Sequence, residues 1–132
     1  MPSKRKTVQQ KFGGRCAYCG YKLFLTIDHI IPRKNFDTLI TQPAHVPHFL
    51  RHLQPGQCGH IDNLFPACTN CNTIKGNSTL EQFRYTLVHL THNLRNHHHY
   101  NTAMRFGFVI EAPKQKLIFH FEHHRQYQPT TP

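Results

Sequence analysis

Two Cys-x-x-Cys pairs constrain this chain more than any other feature: Cys16-Ala17-Tyr18-Cys19 and Cys68-Thr69-Asn70-Cys71, separated by 48 residues. Two such knuckles can present four thiolates tetrahedrally at the ~2.3 Å that Zn–S bonds require. A pair of redox dithiols is the competing reading, but neither pair sits in a βαβ pattern. Apolar runs are short and the chain has only 132 residues, so the core is modest and a metal staple would add materially to it. The start, Met1-Pro2-Ser3-Lys4-Arg5-Lys6, continues into polar Thr7-Val8-Gln9-Gln10 with no apolar h-region. No apolar run approaches ~20 residues. The sequence therefore reads as a cytoplasmic protein without signal peptide or transmembrane segment, whose cysteines are metal ligands or free thiols before they are disulfides.

Local patterning predicts an α+β chain. A short helix is expected over residues 4 to 12, stopped by Gly13-Gly14. Leu23 to Ile27 reads as a strand delivering Asp28-His29 at its end, where Pro32 breaks regular structure. Residues 36 to 59, with Pro43, Pro47 and Pro55-Gly56, read as a loop with a helical turn near 48 to 53. Asn63 to Ala67 reads as a second strand, followed by a helix from Thr69 carrying Cys71, Asn72 and Lys75 and ended by Gly76. Ser78 and Glu81 form a capping-box signature for a long helix with Phe83, Leu87, Leu90 and Leu94 on one face. Two further strands, Phe106 to Glu111 and Leu117 to Glu122, are expected to make a C-terminal hairpin around Pro113.

Charge points to a polyanionic partner. Lys and Arg number 16 against 6 acidic residues, a formal +10 with His neutral. Residues 1 to 35 hold Lys4, Arg5, Lys6, Lys11, Arg15, Lys22, Arg33 and Lys34 against a single acid, Asp28. Such a surface binds phosphate backbones through counterion release, which makes double-stranded DNA the expected partner. A membrane is not expected, because no long amphipathic basic helix appears.

Asp28-His29 has a chemical meaning between the knuckles. Phosphodiester hydrolysis needs an activated water, charge neutralisation on the phosphate and help for the leaving oxygen. Neutral imidazole can take a proton from water near neutral pH. An adjacent carboxylate can hold a divalent cation that polarises the phosphate. Adjacent strand residues face opposite ways, so this pair is expected where the strand ends and the backbone turns. Asn63 lies five residues before Cys68, and Asn72 follows Cys71 directly. The fifth cysteine, Cys58, together with His45, His48 and His60, offers a second set of zinc ligands within the loop.

With those residues in place, the chain resembles the HNH (ββα-metal) endonuclease family. The matching text is Phe12-Gly13-Gly14-Arg15-Cys16-Ala17-Tyr18-Cys19-Gly20, then Thr26-Ile27-Asp28-His29-Ile30-Ile31-Pro32, then Asp62-Asn63-Leu64-Phe65-Pro66-Ala67-Cys68-Thr69-Asn70-Cys71-Asn72-Thr73-Ile74-Lys75-Gly76-Asn77. The likeness spans residues 12 to 77 and is nearest to short phage-type members. It implies a small zinc-stapled ββα-metal nuclease core in residues 1–78, interrupted by an insertion at about 36–59. A long helix and β-hairpin in residues 79–132 would pack on that core. It further implies that His29 is the general base, that Asp28 and Asn72 hold the catalytic cation, and that Asn63 braces the loop carrying the base. Cys16, Cys19, Cys68 and Cys71 would hold a structural zinc. An amide oxygen at Asn72 suits Mg²⁺ or Mn²⁺. The implied activity is metal-dependent DNA cleavage leaving 5′-phosphate and 3′-hydroxyl ends. The alternative is a catalytically silent, zinc-stapled DNA-binding module, which would have no need to combine Asp28, His29, Asn63 and Asn72. Nicking versus double-strand cleavage, target sequence and a homodimeric state all stay open at this point.

Overall fold

The computed structural model describes residues 1–129. It is a mixed structure in which short helices surround a two-stranded antiparallel sheet. Strand β1 (Leu25–His29) pairs with β2 (Leu64–Cys68), Leu25 opposite Cys68 and His29 opposite Leu64. The helices are α1 (Lys4–Gln9), α2 (Phe36–Leu39), α3 (Thr69–Lys75), α4 (Leu80–Val88), α5 (Leu90–Leu94) and α6 (His98–Arg105).

Each element near the sheet has a local cause. Helix α1 begins where the Ser3 side chain accepts from the Lys6 N–H, and it buries Val8 completely. The Gln9 amide then reaches across to the Leu25 carbonyl at 3.2 Å. Strand β2 is buried along all five residues, which suits a run that reads Leu-Phe-Pro-Ala-Cys. Pro66 has no N–H to give the sheet, but its carbonyl accepts from the Ala17 N–H at 2.8 Å. The first knuckle thus lies along the outer edge of β2. Strand β2 runs straight into α3, because Cys68 ends the strand and caps the helix, its Sγ accepting from the Cys71 N–H at 3.4 Å. Gly76, at φ 53°, supplies the left-handed residue that ends α3.

Several sequence expectations are corrected. Strand β1 begins at Leu25 and runs through Asp28 and His29. Leu23 and Phe24 stay exposed, because β2 offers no partner beyond Cys68. The capping box that starts α4 is Thr79 with Gln82, one residue later than the Ser78 and Glu81 signature. Ser78 instead donates its hydroxyl to the Lys75 carbonyl and helps close α3. The expected long helix breaks at His89 into α4 and α5. Phe83 is fully buried but Leu94 is half-exposed, so the apolar stripe loses its core after the second turn.

The C-terminal hairpin does not form. Residues 106 to 119 contain no strand, and His120–His123 is a turn of 3₁₀ helix. The alternation that suggested a strand, Phe119 and Phe121, is spent differently. Both rings are buried in the main core, and the His120 and Phe121 N–H groups donate to the Tyr18 and Ala17 carbonyls at 3.0 and 2.8 Å. The first knuckle is therefore clasped between β2 and the C-terminal segment. Arg84 fastens that segment. Its guanidinium grips the Glu122 carboxylate through two bonds of 2.8 and 2.9 Å, donates to the Leu117 carbonyl and lies over the Phe119 ring.

The region expected as a loop contributes to the core. Residues 36 to 59 contain α2 and turns of 3₁₀ helix at Pro43–His45 and His48–Leu50, and bury Phe36, Val46, Leu50 and Leu53. One continuous apolar cluster joins these to Phe12, Tyr18, Phe65, Phe83, Phe119 and Phe121. No helix among the described residues is long and apolar enough to cross a membrane.

Candidate active site and metal centre

The fold brings the two Cys-x-x-Cys pairs together. The Sγ atoms of Cys16, Cys19, Cys68 and Cys71 all lie within 4.8 Å of one another. Cys19 and Cys68 are 3.9 Å apart, close to the about 3.8 Å edge of a tetrahedron with Zn–S bonds near 2.3 Å. The thiols cannot all ionise without a cation. The hydrogen bond from Cys71 holds the Cys16 thiol down at about 4. The same bond pushes Cys71 up, and burial lifts Cys19 to about 11. A divalent ion would remove that conflict, so the donor set is compatible with a structural zinc. Among the described residues, the four cysteines are the one such group. Cys58, His45, His48 and His60 do not gather. His60 Nδ1 caps a local turn by accepting from the Asp62 N–H, and Asp62 pairs with His52 at 2.8 Å.

One strand away, Asp28 faces α3. Its side chain is only 4% exposed. The Tyr18 hydroxyl donates to one carboxylate oxygen. Lys75, on the last turn of α3 and with its side chain fully buried, places Nζ 3.3 Å from Oδ1 and 3.2 Å from Oδ2. The same ammonium donates to the His29 carbonyl at 3.0 Å. Burial pushes the Asp28 carboxyl up and the Lys75 ammonium down, against the pull of each on the other. Thr26 lies two residues earlier on the same face of β1, and there the Asn72 amide donates to its hydroxyl at 2.8 Å. Asn72 and Lys75 are three residues apart on α3, so one helix face meets alternate positions of one strand.

His29 ends β1 and is half-buried. Burial lowers its pKa, and the positive charges of Arg33, Lys75 and Lys4 lower it further. The imidazole is therefore neutral at physiological pH. The chain then turns through Ile30 and Ile31, and Asn63 fixes that turn. Asn63 is fully buried, its Oδ1 accepts from the Ile31 N–H at 2.8 Å, and its amide donates to the Ile31 and Cys58 carbonyls at 3.1 and 2.8 Å. The Ile30 N–H donates to the Asn63 carbonyl at 2.8 Å. Replacing Asn63 with alanine would orphan the buried Ile31 backbone groups and take a donor from the half-buried Cys58 carbonyl. We expect a loss of about 2–4 kcal/mol of stability, read as a lower urea midpoint, and an unchanged midpoint would refute it.

Sequence reasoning placed Lys75 on the helix but gave it no partner, and gave Tyr18 no part in the site. The only signal for Lys75 was its spacing of three from Asn72. Comparison of the sequence with family models and curated proteins, and of the fold with solved structures, returned no match.

Proposed function

We propose that the chain is a metal-dependent DNA endonuclease of the HNH (ββα-metal) type, stapled by zinc on Cys16, Cys19, Cys68 and Cys71. The observation that carries this reading is the placing of Asp28, against α3, and His29 as the last two residues of β1, directly before the turn that Asn63 braces. A strand pair followed by a zinc-anchored helix is the frame that the resemblance implies. The basic surface supplies the partner, with Lys4 and Arg33 exposed and positioned to act on His29.

Asp28 and Asn72 would hold the catalytic cation that the resemblance implies. The Lys75 ammonium already stands against both Asp28 oxygens, so this carboxylate balances one positive charge and would share it with the metal. Asn72 spends one amide hydrogen on Thr26, and its amide oxygen would be a hard donor. When bound, Mg²⁺ or Mn²⁺ would polarise the phosphate and offset charge on the leaving oxygen.

The chain's own residues do the rest. Neutral His29 accepts a proton from water, and the water oxygen forms a bond to phosphorus as the P–O3′ bond breaks. The 3′ oxygen leaves and takes a proton from solvent water, and His29 gives its proton back to solvent, leaving 3′-hydroxyl and 5′-phosphate ends. Asn63 holds the turn that follows His29, so the ring is presented from a fixed backbone. Arg33, exposed beside His29, would hold a backbone phosphate.

The test is nicking of supercoiled plasmid by zinc-loaded protein. Nicked circles that a ligase can reseal are expected with Mg²⁺ or Mn²⁺ and not without. DNA binding with no nicking under either cation would leave the zinc-stapled binding module as the correct reading.

A further inference from the structure

A fully buried lysine needs a reason. Burying a carboxylate and an ammonium together costs more desolvation than their attraction generally returns, and an apolar pair of similar size would hold the same helix on the same strand at least as well. Lys75 is nevertheless enclosed. Its ammonium donates to Asp28 Oδ1 and to the carbonyl of His29, and lies 3.2 Å from Asp28 Oδ2. The Tyr18 hydroxyl closes the remaining side of the carboxylate. One ammonium thus joins the two adjacent residues to which hydrolysis assigns different tasks, one through its side chain and the other through its backbone.

We infer that Lys75 is the resident counter-cation of the site, a positioning residue that holds the His29 backbone for catalysis and sets how tightly Asp28 binds a divalent metal. This rests on the endonuclease reading for its reaction, but not for its effect on metal binding. Before metal arrives, the ammonium sits against the Asp28 carboxylate and holds the end of β1 in place. A divalent cation must then share the carboxylate with a neighbouring positive charge, which weakens its binding in the absence of DNA. A DNA phosphate entering the site would balance the extra charge, so tight metal binding would come with substrate.

Charge and position can be separated by two substitutions. Lys75→Met removes the charge. Mn²⁺ binding to the DNA-free protein, followed by electron paramagnetic resonance, should tighten by about tenfold. At saturating Mn²⁺, kcat for nicking should fall by about tenfold or more with KM for DNA unchanged, because the His29 carbonyl has lost its anchor. Lys75→Arg keeps the charge on a wider, planar fork. It should leave Mn²⁺ affinity as weak as in the parent while kcat still falls. If the methionine variant does not fold, nitrogen resonances of the Lys75 ammonium in the parent serve instead. They should respond to Mg²⁺ at the same half-saturation as the Asp28 carboxylate carbon.

Unchanged Mn²⁺ affinity and unchanged kcat in Lys75→Met would overturn the inference and make Lys75 a structural neutraliser. An ammonium resonance indifferent to Mg²⁺, or no metal bound by any form, would overturn it equally. A shift in Mn²⁺ affinity without nicking by any form, parent included, would instead sink the endonuclease reading and leave Lys75 as the counter-cation.

Discussion

Replacing His29 with alanine is expected to slow plasmid nicking by ~10²-fold or more while zinc content and melting temperature stay at the parent values. The size follows from the task. General base catalysis by a positioned imidazole contributes about 10² to 10⁴-fold, and the neighbouring Asp28 and Asn63 side chains are not free to replace it. Asp28 is held by Tyr18 and Lys75, and Asn63 is committed to backbone. Stability should be spared because His29 is only half-buried, and the bond that ties it to the fold runs through its backbone carbonyl to Lys75. That bond survives the substitution.

The contrast with Asn63 makes the experiment diagnostic. Asn63 is fully buried and bonds both polar groups of Ile31, so its loss lowers rate and stability together. A His29→Ala protein that cut as fast as the parent would remove the general base from the mechanism. One that melted early would show that His29 is a packing residue and that its loss of rate says nothing about proton transfer.

The parts of this site that were legible in the sequence are those fixed by short-range chemistry. Two thiols three residues apart have little choice in a metal-binding fold, and Cys68 to Lys75 reads as strand, cap and helix in one continuous stretch. Long-range partnerships were not legible. Nothing within ten residues of Asp28 announces that its counter-charge lies 47 positions away on α3. The capping box moved by one residue because Ser78 and Thr79 both satisfy the pattern, and tertiary contact decided between them. Ser78 closes α3, which leaves Thr79 to open α4. The missing hairpin teaches a similar lesson. Alternation in Phe119 and Phe121 reports that two rings share a face. It does not report whether the backbone between them pairs with a strand or with the Ala17-Tyr18 turn of a knuckle, and here it is the knuckle.

Removal of zinc by a strong chelator is expected to unfold the chain, not merely to inactivate it. Structural zinc in small metal-bound peptides contributes apparent free energies on the order of 10 kcal/mol, while domains of this size are stable by about 5–15 kcal/mol in total. Losing most of that margin leaves little to oppose chain entropy. The architecture adds to the effect. The first knuckle lies between β2 and the C-terminal segment, through Ala17 to Pro66 on one side and Ala17 and Tyr18 to Phe121 and His120 on the other. Releasing Cys16 and Cys19 from a shared metal therefore loosens the docking site of Phe119 and Phe121, two of the buried rings of the core. Helical circular dichroism and tyrosine fluorescence should be lost in one transition, since the chain has no tryptophan to mask the tyrosines. Zinc should restore both signals. Mg²⁺ should restore neither, because a hard cation has little affinity for four thiolates. Recovery with Mg²⁺, or a melting temperature indifferent to chelation, would dismantle the proposed division of labour between a sulfur-bound ion that holds the frame and an oxygen-bound ion that serves the reaction.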